Sequence, residues 1–242
     1  MRYFITLSFD GARYHGWQIQ PNGNSVQAEI EKALTVLLRE TITVVGAGRT
    51  DAGVHARKMV AHFNYNKNLD CQQLTYKLNR FLPYDISVKD IQPVSEDMHA
   101  RFSAKTRTYR YYINFEKDPF VRLYSCPIHY DLDFDLMNKA ASILLKYNDF
   151  GAFCKSNSDV KTTLCIIKSA SWSQISSNNW VFEISANRFL RNMVRAIVGT
   201  LIEVGRHRMT IEKFRSVIEG KARSAAGESM PGHALFLEDI EY

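Results

Sequence analysis

Arg2–Phe9 has the alternating character of a strand, and a loop containing Gly and Asn follows as far as Asn24. Val26, Ile30, Ala33, Leu34, Leu37 and Leu38 then recur at helical spacing, with Asn24 or Ser25 available as the cap for the first amide hydrogens. Thr41–Val45 is β-branched and predicts a second strand, after which GAGRTDAG reads as a loop. Met59, Ala61, Phe63 and Tyr65 alternate with more polar residues and predict a third strand. A helix over Cys71–Phe81 stops ahead of Pro83, and Ile86–Ile91 is strand-like. The predicted order is β-α-β-β-α-β.

The rest of the chain repeats that order. Thr106–Phe115 alternates strongly, with Arg107, Tyr109, Tyr111, Ile113 and Phe115 on one face. Asp133–Tyr147 predicts a capped amphipathic helix, and Cys165–Ile175 with Trp180–Ala186 predicts a hairpin closed by SSNN. A long helix is expected from Asn187 to Val204 with Gly205 just past its end, then a short helix over Thr210–Glu219 and a last strand over Ala234–Glu241. The fold class expected is α/β (α+β). Two ferredoxin-like halves, residues 1–103 and 104–242, would share a central, mainly antiparallel sheet with a cleft between them.

Composition narrows the function classes. The chain has 242 residues, 45% hydrophobic and 12% aromatic, which is ample core material and excludes disorder as the main state. No apolar run approaches the roughly 20 residues that a membrane-spanning helix requires. The N-terminal MRYFITLSFD lacks the apolar block and cleavage site of a signal peptide, so a cytoplasmic protein is expected. The net charge of +6 lies almost wholly in residues 101–242, which carry 20 basic and 15 acidic side chains. A modest basic surplus fits a nucleic-acid partner, although enzymes without one share it. Cys71, Cys126, Cys154 and Cys165 form no CxxC pair and the seven histidines form no HExxH, so reduced thiols and no structural metal are expected.

The segment Gly46-Ala-Gly-Arg-Thr-Asp-Ala-Gly-Val-His55 carries the most chemistry. It fails as a phosphate cradle: Asp51 stands where GxGxxG needs its last glycine, and no lysine or hydroxyl follows as GxxxxGK[ST] needs. A carboxylate there would also repel phosphate. What remains is an aspartate on a glycine-rich loop, two residues after Arg49. Such an aspartate can close a turn through its own backbone, or it can be presented to a ligand that approaches the chain closely.

With GRTDAGVH, the chain contains in order FDGARYHGWQIQ (Phe9–Gln20), SVQAEIEKAL (Ser25–Leu34), NRFLP (Asn79–Pro83), HARFSAKTRTYRYYI (His99–Ile113) and FLRNMVRAIVGTLIEVG (Phe189–Gly205). On these motifs it resembles the tRNA pseudouridine synthase A (TruA) family over essentially its full length. The resemblance implies an isomerase converting uridine to pseudouridine in the tRNA anticodon stem-loop, at expected tRNA positions 38, 39 and 40. It also implies a homodimer and neither cofactor nor metal. Asp51 matches the essential aspartate, expected as nucleophile at the ribose C1′ or as the group that starts glycosidic cleavage. Tyr109 matches the tyrosine that stacks on the base, Arg195 the arginine that pairs with the aspartate, and Arg49 the arginine that helps hold the target uridine out of the helix.

The residue types suit that chemistry. A uridine inside a duplex must be flipped out at a cost of a few kcal/mol, which basic and aromatic groups can offset. A carboxylate in water needs no partner to ionise at neutral pH, so a guanidinium would chiefly keep a desolvated carboxylate charged and aimed. Taken alone, Tyr109 would also fit simple sheet packing. Arg188, Arg191 and Arg195 could form one solvated basic stripe on the expected helix, but the apolar neighbours of Arg195 favour a buried, paired arginine. Arg188 and Arg191 are candidates for RNA phosphates, as are Arg101, Lys105, Arg107 and Arg110. His15 and Trp17 fit either packing or RNA contact, and His55 and His62 read as structural.

Two segments depart from the family pattern. Arg57-Lys58-Met59 stands where relatives often have a glycine and a glutamine, at what is expected to be a cleft-edge loop bearing on target choice. PGHALFL replaces a commoner pattern with Gly-Leu, leaving Leu235 as the expected apolar wall of the substrate pocket. Neither removes a catalytic side chain. The competing readings are a non-catalytic RNA binder on the same fold and the same chemistry on ribosomal RNA. A small-molecule glycosidase is disfavoured by the basic clusters and the missing second carboxylate.

Overall fold

A computed structural model describes residues 1–156 and 160–242. In chain order the elements are β1 (Arg2–Phe9), α1 (Val26–Leu38), β2 (Val45–Gly46), β3 (His55–Asn64), α2 (Cys71–Phe81), β4 (Ile86–Val94), β5 (Thr106–Asn114), β6 (Cys126–Pro127), α3 (Phe134–Ile143), β7 (Ile167–Ser176), β8 (Asn179–Ala186), α4 (Met193–Gly205), α5 (Ile211–Gly220) and β9 (Leu235–Glu241). Two compact units result, Met1–Lys105 with Phe236–Tyr242, and Thr106–Leu235. The class is mixed α/β with mainly antiparallel strand pairing.

In the first unit β1 is central, paired antiparallel with β4 and β3 so that Ile5 faces both Ile91 and Ala61. The outer edge of β3 is divided. β2 pairs with it at Ala61 and His62, and β9 runs parallel to it at His55 and Ala56. Ser25 caps α1 by accepting from the Ala28 amide, and Asp70 caps α2 by accepting from Gln73. Ile5, Leu7, Ile30, Leu34, Met59 and Leu78 are fully buried. Each such side chain contributes about 1.5–3 kcal/mol to holding sheet and helices together.

Residues 41–44 are not a strand, contrary to their β-branched composition. Their backbone is bonded instead to side chains of α1. The Ile42 amide donates to Thr35 Oγ1 at 3.1 Å, the Val44 amide to Glu31 Oε1 at 2.9 Å, and Gln27 Nε2 donates to the Val44 carbonyl at 3.1 Å. Pairing resumes only at Val45.

In the second unit β8 lies between β5 and β7, both antiparallel to it, with Tyr109 opposite Ile184 and Tyr111 opposite Phe182. Asp133 caps α3 and Thr210 caps α5. Every residue of α4 is buried except Arg195 and Glu203, as befits a central helix.

The expected helix from Asn187 begins six residues later. Asn187 bonds to Ile166 instead, through its own amide to the Ile166 carbonyl at 3.1 Å and from the Ile166 amide to its Oδ1 at 2.8 Å. Asn192 has φ 66°, a left-handed conformation that a helix interior excludes and asparagine tolerates. At the far end Gly205 is helical, and His207 takes the positive φ of 57°. The helix after Asp133 ends at Ile143 and tightens into a 3-10 turn over Leu144–Lys146.

Phe236–Tyr242, expected with the second half, fall in the first unit. Besides the ladder to β3, Arg57 pairs with Glu238 at 3.2 Å, Lys58 with Asp239 at 2.6 Å, and the Tyr242 hydroxyl donates to the Ala100 carbonyl at 2.7 Å.

Candidate active site

Asp51 sits on the loop that leaves β2 and enters β3, half-buried between the buried Thr50 and the exposed Ala52. The loop rests on the segment that follows β1. The Trp17 amide donates to the Thr50 carbonyl at 3.4 Å and the Gly53 amide to the Tyr14 carbonyl at 3.3 Å, while the Val54 amide closes a turn onto the Asp51 carbonyl at 3.2 Å. Two glycines make the approach possible. A Cβ on Gly11 would lie 2.0 Å from the Val54 carbonyl oxygen, and one on Gly16, whose φ is +95°, would lie 2.2 Å from that of Thr50. The backbone of the aspartate loop is therefore held in direct contact with the Tyr14–Trp17 segment.

Trp17 and His55 flank that seat and are buried. Trp17 is buried, its indole lying over Gly46, and His15 is exposed with Nδ1 2.9 Å from Asn24 Oδ1. The buried His55 contacts the Gly11 amide through Nδ1 at 3.0 Å and stacks on Phe236, with ring centroids 4.5 Å apart. His62 Nδ1 accepts from the Ala100 amide at 3.1 Å, and desolvation lowers the imidazole pKa to about 4, leaving it neutral. Arg49 is exposed beside Asp51. Arg57 and Lys58 do not lie on a loop. They stand within β3, ion-paired to the acidic residues of β9, with the Arg57 guanidinium 5.2 Å from the centre of the Phe236 ring.

The second unit holds the other candidates. Tyr109, half-buried on β5, meets Phe189 edge-on with centroids 5.1 Å apart, an arrangement that fixes the plane of the phenol. Arg195, in the first turn of α4, donates through Nε to the Met230 carbonyl at 2.5 Å. Arg188 and Arg191 precede the helix and share no helical face with Arg195; Arg188 is partly buried and Arg191 exposed. Leu235 is buried where a 3-10 turn over Gly232–Ala234 hands the chain to β9.

The basic cluster around β5 divides. Arg107 is buried and donates through Nη1 to the Asn187 carbonyl at 2.7 Å, which makes it a structural link from β5 to the segment before α4. Arg110 is paired with Glu183 at 2.7 Å. Arg101 and Lys105, both in the first unit, are exposed. Sequence reasoning missed Phe189 as the neighbour of Tyr109 and Met230 as the anchor of Arg195. The available signal for the second was Gly199, a glycine inside an otherwise apolar helix.

Among the described residues no group of three or more His, Cys, Asp or Glu is placed to hold a metal ion, and no helix is long and apolar enough to cross a membrane.

This mixed, mainly antiparallel α/β fold is that of the pseudouridine synthases, which are isomerases. The profile of the family described as tRNA pseudouridine synthase matches residues 5–103 and 140–242, and the chain belongs to that family. It is 56% identical to tRNA pseudouridine synthase A of Bacteroides fragilis, covering 100% of this chain and 96% of the relative. It is 39% identical to tRNA pseudouridine synthase A of Bacillus subtilis, covering 100% of this chain and 99% of the relative.

Proposed function

We propose that this protein isomerises uridine to pseudouridine in the anticodon stem-loop of tRNA, in the cytoplasm and as a homodimer, with Asp51 as the nucleophile. Full-length similarity to relatives named tRNA pseudouridine synthase A supports the tRNA substrate. The observation that supports the catalytic assignment is the seating of the Asp51 loop on the backbone of the Tyr14–Trp17 segment, which holds the backbone of a half-buried aspartate. Preorganisation of this kind lowers the barrier to attack on a sugar carbon.

In this reading the target nucleotide leaves the stack before reaction, since C1′ is shielded inside a helix. Tyr109, its ring held edge-on by Phe189, stacks on the extruded base. Arg195 supplies the guanidinium that orients the carboxylate, and Leu235 an apolar wall. Arg49 helps hold the target uridine out of the helix, and Arg188 and Arg191 contact RNA phosphates, a sequence-independent attraction that positions the substrate. Asp51 attacks C1′ as the N1 glycosidic bond breaks and uracil departs as its anion. The base turns and its C5 attacks C1′, displacing the Asp51 carboxylate, after which the C5 proton is lost to water and N1 takes up a proton, with no change of oxidation state.

Release of tritium from tRNA transcripts labelled at uracil C5 tests the reading. Release is expected from the wild type and not from Asp51→Asn, with tRNA affinity retained by the variant. Absence of release by wild type from both tRNA and ribosomal RNA, with binding intact, would leave a non-catalytic RNA binder. Sedimentation of the free protein tests the dimer.

A further inference from the structure

Residues 227–231 lie across the first turns of α4 as a strap, and its contacts converge on Arg195. One strap residue engages both the side chain and the backbone of that arginine: Arg195 Nε donates to the Met230 carbonyl at 2.5 Å, and the Met230 amide donates to the Arg195 carbonyl at 3.2 Å. On the N-terminal side, Ser229 Oγ accepts from Asn192 Nδ2 at 2.5 Å and from Arg223 Nη2 at 2.7 Å. Arg223 Nη1 also donates to the Gly227 carbonyl at 3.0 Å, and the Gly227 amide donates to Thr200 Oγ1 at 2.9 Å. On the C-terminal side, the hydroxyl of Tyr111 on β5 donates to the Pro231 carbonyl at 3.0 Å. Burial pushes the Tyr111 phenol above its ordinary pKa, so it remains a donor.

The helix is shaped to receive the strap. A Cβ on Gly199 would lie 1.8 Å from the Glu228 carbonyl oxygen, so only glycine lets the strap lie this close. Glycine inside a helix costs about 0.5–1 kcal/mol relative to alanine, and α4 carries that cost at the point of contact. Asn192, at the start of the same helix, holds its left-handed conformation with its side chain fixed on Ser229.

A guanidinium is planar and donates in fixed directions. Bonding Nε to a carbonyl sets the orientation of that plane, and with it the directions of the two terminal nitrogens. We propose that the 227–231 strap is a positioning device for Arg195, with Ser229 and Tyr111 as positioning residues for the isomerisation. The proposal rests on the role given above to Arg195. Neither residue touches substrate; both act by holding the Met230 carbonyl where the guanidinium meets it.

The test is single-turnover tritium release from C5-labelled tRNA, run with tRNA affinity and thermal unfolding on the same proteins. Ser229→Ala is expected to lower the rate about tenfold, within the range that small misplacements of catalytic groups produce, with affinity and unfolding midpoint close to wild type. Ser229→Thr, which keeps the hydroxyl, is expected to restore the rate. In an Arg195→Lys background, where no Nε–carbonyl bond can form, Ser229→Ala is expected to have no further effect. Tyr111→Phe, which keeps the buried ring and removes only the hydroxyl, repeats the test from the other end and covers the case in which Ser229→Ala fails to fold. A folded Ser229→Ala or Tyr111→Phe protein with the wild-type rate, or an equal loss in the lysine background, would overturn the strap's role. A wild-type rate in Arg195→Lys alone would instead overturn the role of Arg195 itself.

Discussion

Gly16 and Thr50 approach so closely that a methyl group on the glycine would lie 2.2 Å from the threonine carbonyl oxygen and 3.2 Å from the Asp51 carbonyl carbon. The segment after β1 is thus the floor on which the aspartate loop is laid, and the position of the carboxylate depends on a residue that carries no side chain.

Substituting that glycine is expected to act on catalysis through the loop. Gly16→Ala introduces both the clash and a strained backbone at φ +95°, together about 1–3 kcal/mol. The expected result is a lowered unfolding midpoint and a fall in tritium release, with tRNA affinity nearly unchanged. Thermal unfolding and the release assay on one preparation check it. Unchanged release would mean the loop holds its shape without this floor.

Glu31 anchors the approach to the same loop, since its Oε1 accepts from the buried Val44 amide at 2.9 Å. Glu31→Ala leaves that amide without its acceptor, which costs about 1–3 kcal/mol. Glu31→Gln retains an acceptor oxygen and is expected to recover much of the loss. Urea unfolding of the two variants provides the comparison, and equal destabilisation by both would assign the effect to charge.

Arg107 and Arg191 are both arginines of a basic segment, but their surroundings predict opposite phenotypes. Arg107→Met removes a buried donor to the Asn187 carbonyl and is expected to lower stability while leaving the salt dependence of tRNA binding unchanged. Arg191 is exposed, and Arg191→Ala is expected to reduce the slope of log affinity against log salt by about one. Binding titrations at several salt concentrations, with unfolding curves, separate the two.

His62 links stability to pH. Desolvation, with Arg2 and His99 adding to it, lowers its folded-state pKa from 6.5 to about 4. A depressed histidine pKa means that the unfolded chain takes up the proton first. Its contribution is full above about pH 6.5 and is lost as pH falls toward 4, on the order of 3 kcal/mol in all. Urea unfolding across that window is expected to show falling stability. His62→Asn, which keeps an acceptor for the Ala100 amide and removes the titrating ring, is expected to flatten the slope; an unchanged slope would assign the acid sensitivity to other groups.

Elements whose causes are local could be read directly from the sequence. α1 and α2 follow from apolar residues three and four apart behind Ser25 and Asp70, and the β7–β8 hairpin from alternation across SSNN. These signals act within a turn or two of chain, and so does the motif that marked Asp51. Where the structure differs, a distant partner intervenes. Residues 41–44 are β-branched but are held by Gln27, Glu31 and Thr35, and residues 187–192 are held out of the helix through Asn187. Arg107 looks like a phosphate contact until its guanidinium is found buried against a carbonyl 80 residues away.

The class of fold, most of the elements and the loop that bears Asp51 were thus legible in the amino-acid sequence, because periodicity, capping and a long ordered set of motifs are properties of neighbouring residues. Which arginines remain exposed, where α4 begins and what steadies Arg195 emerge with the folded chain, because a hydrogen bond from Arg195 to Met230, 35 residues on, leaves no local trace except a glycine where the two segments meet.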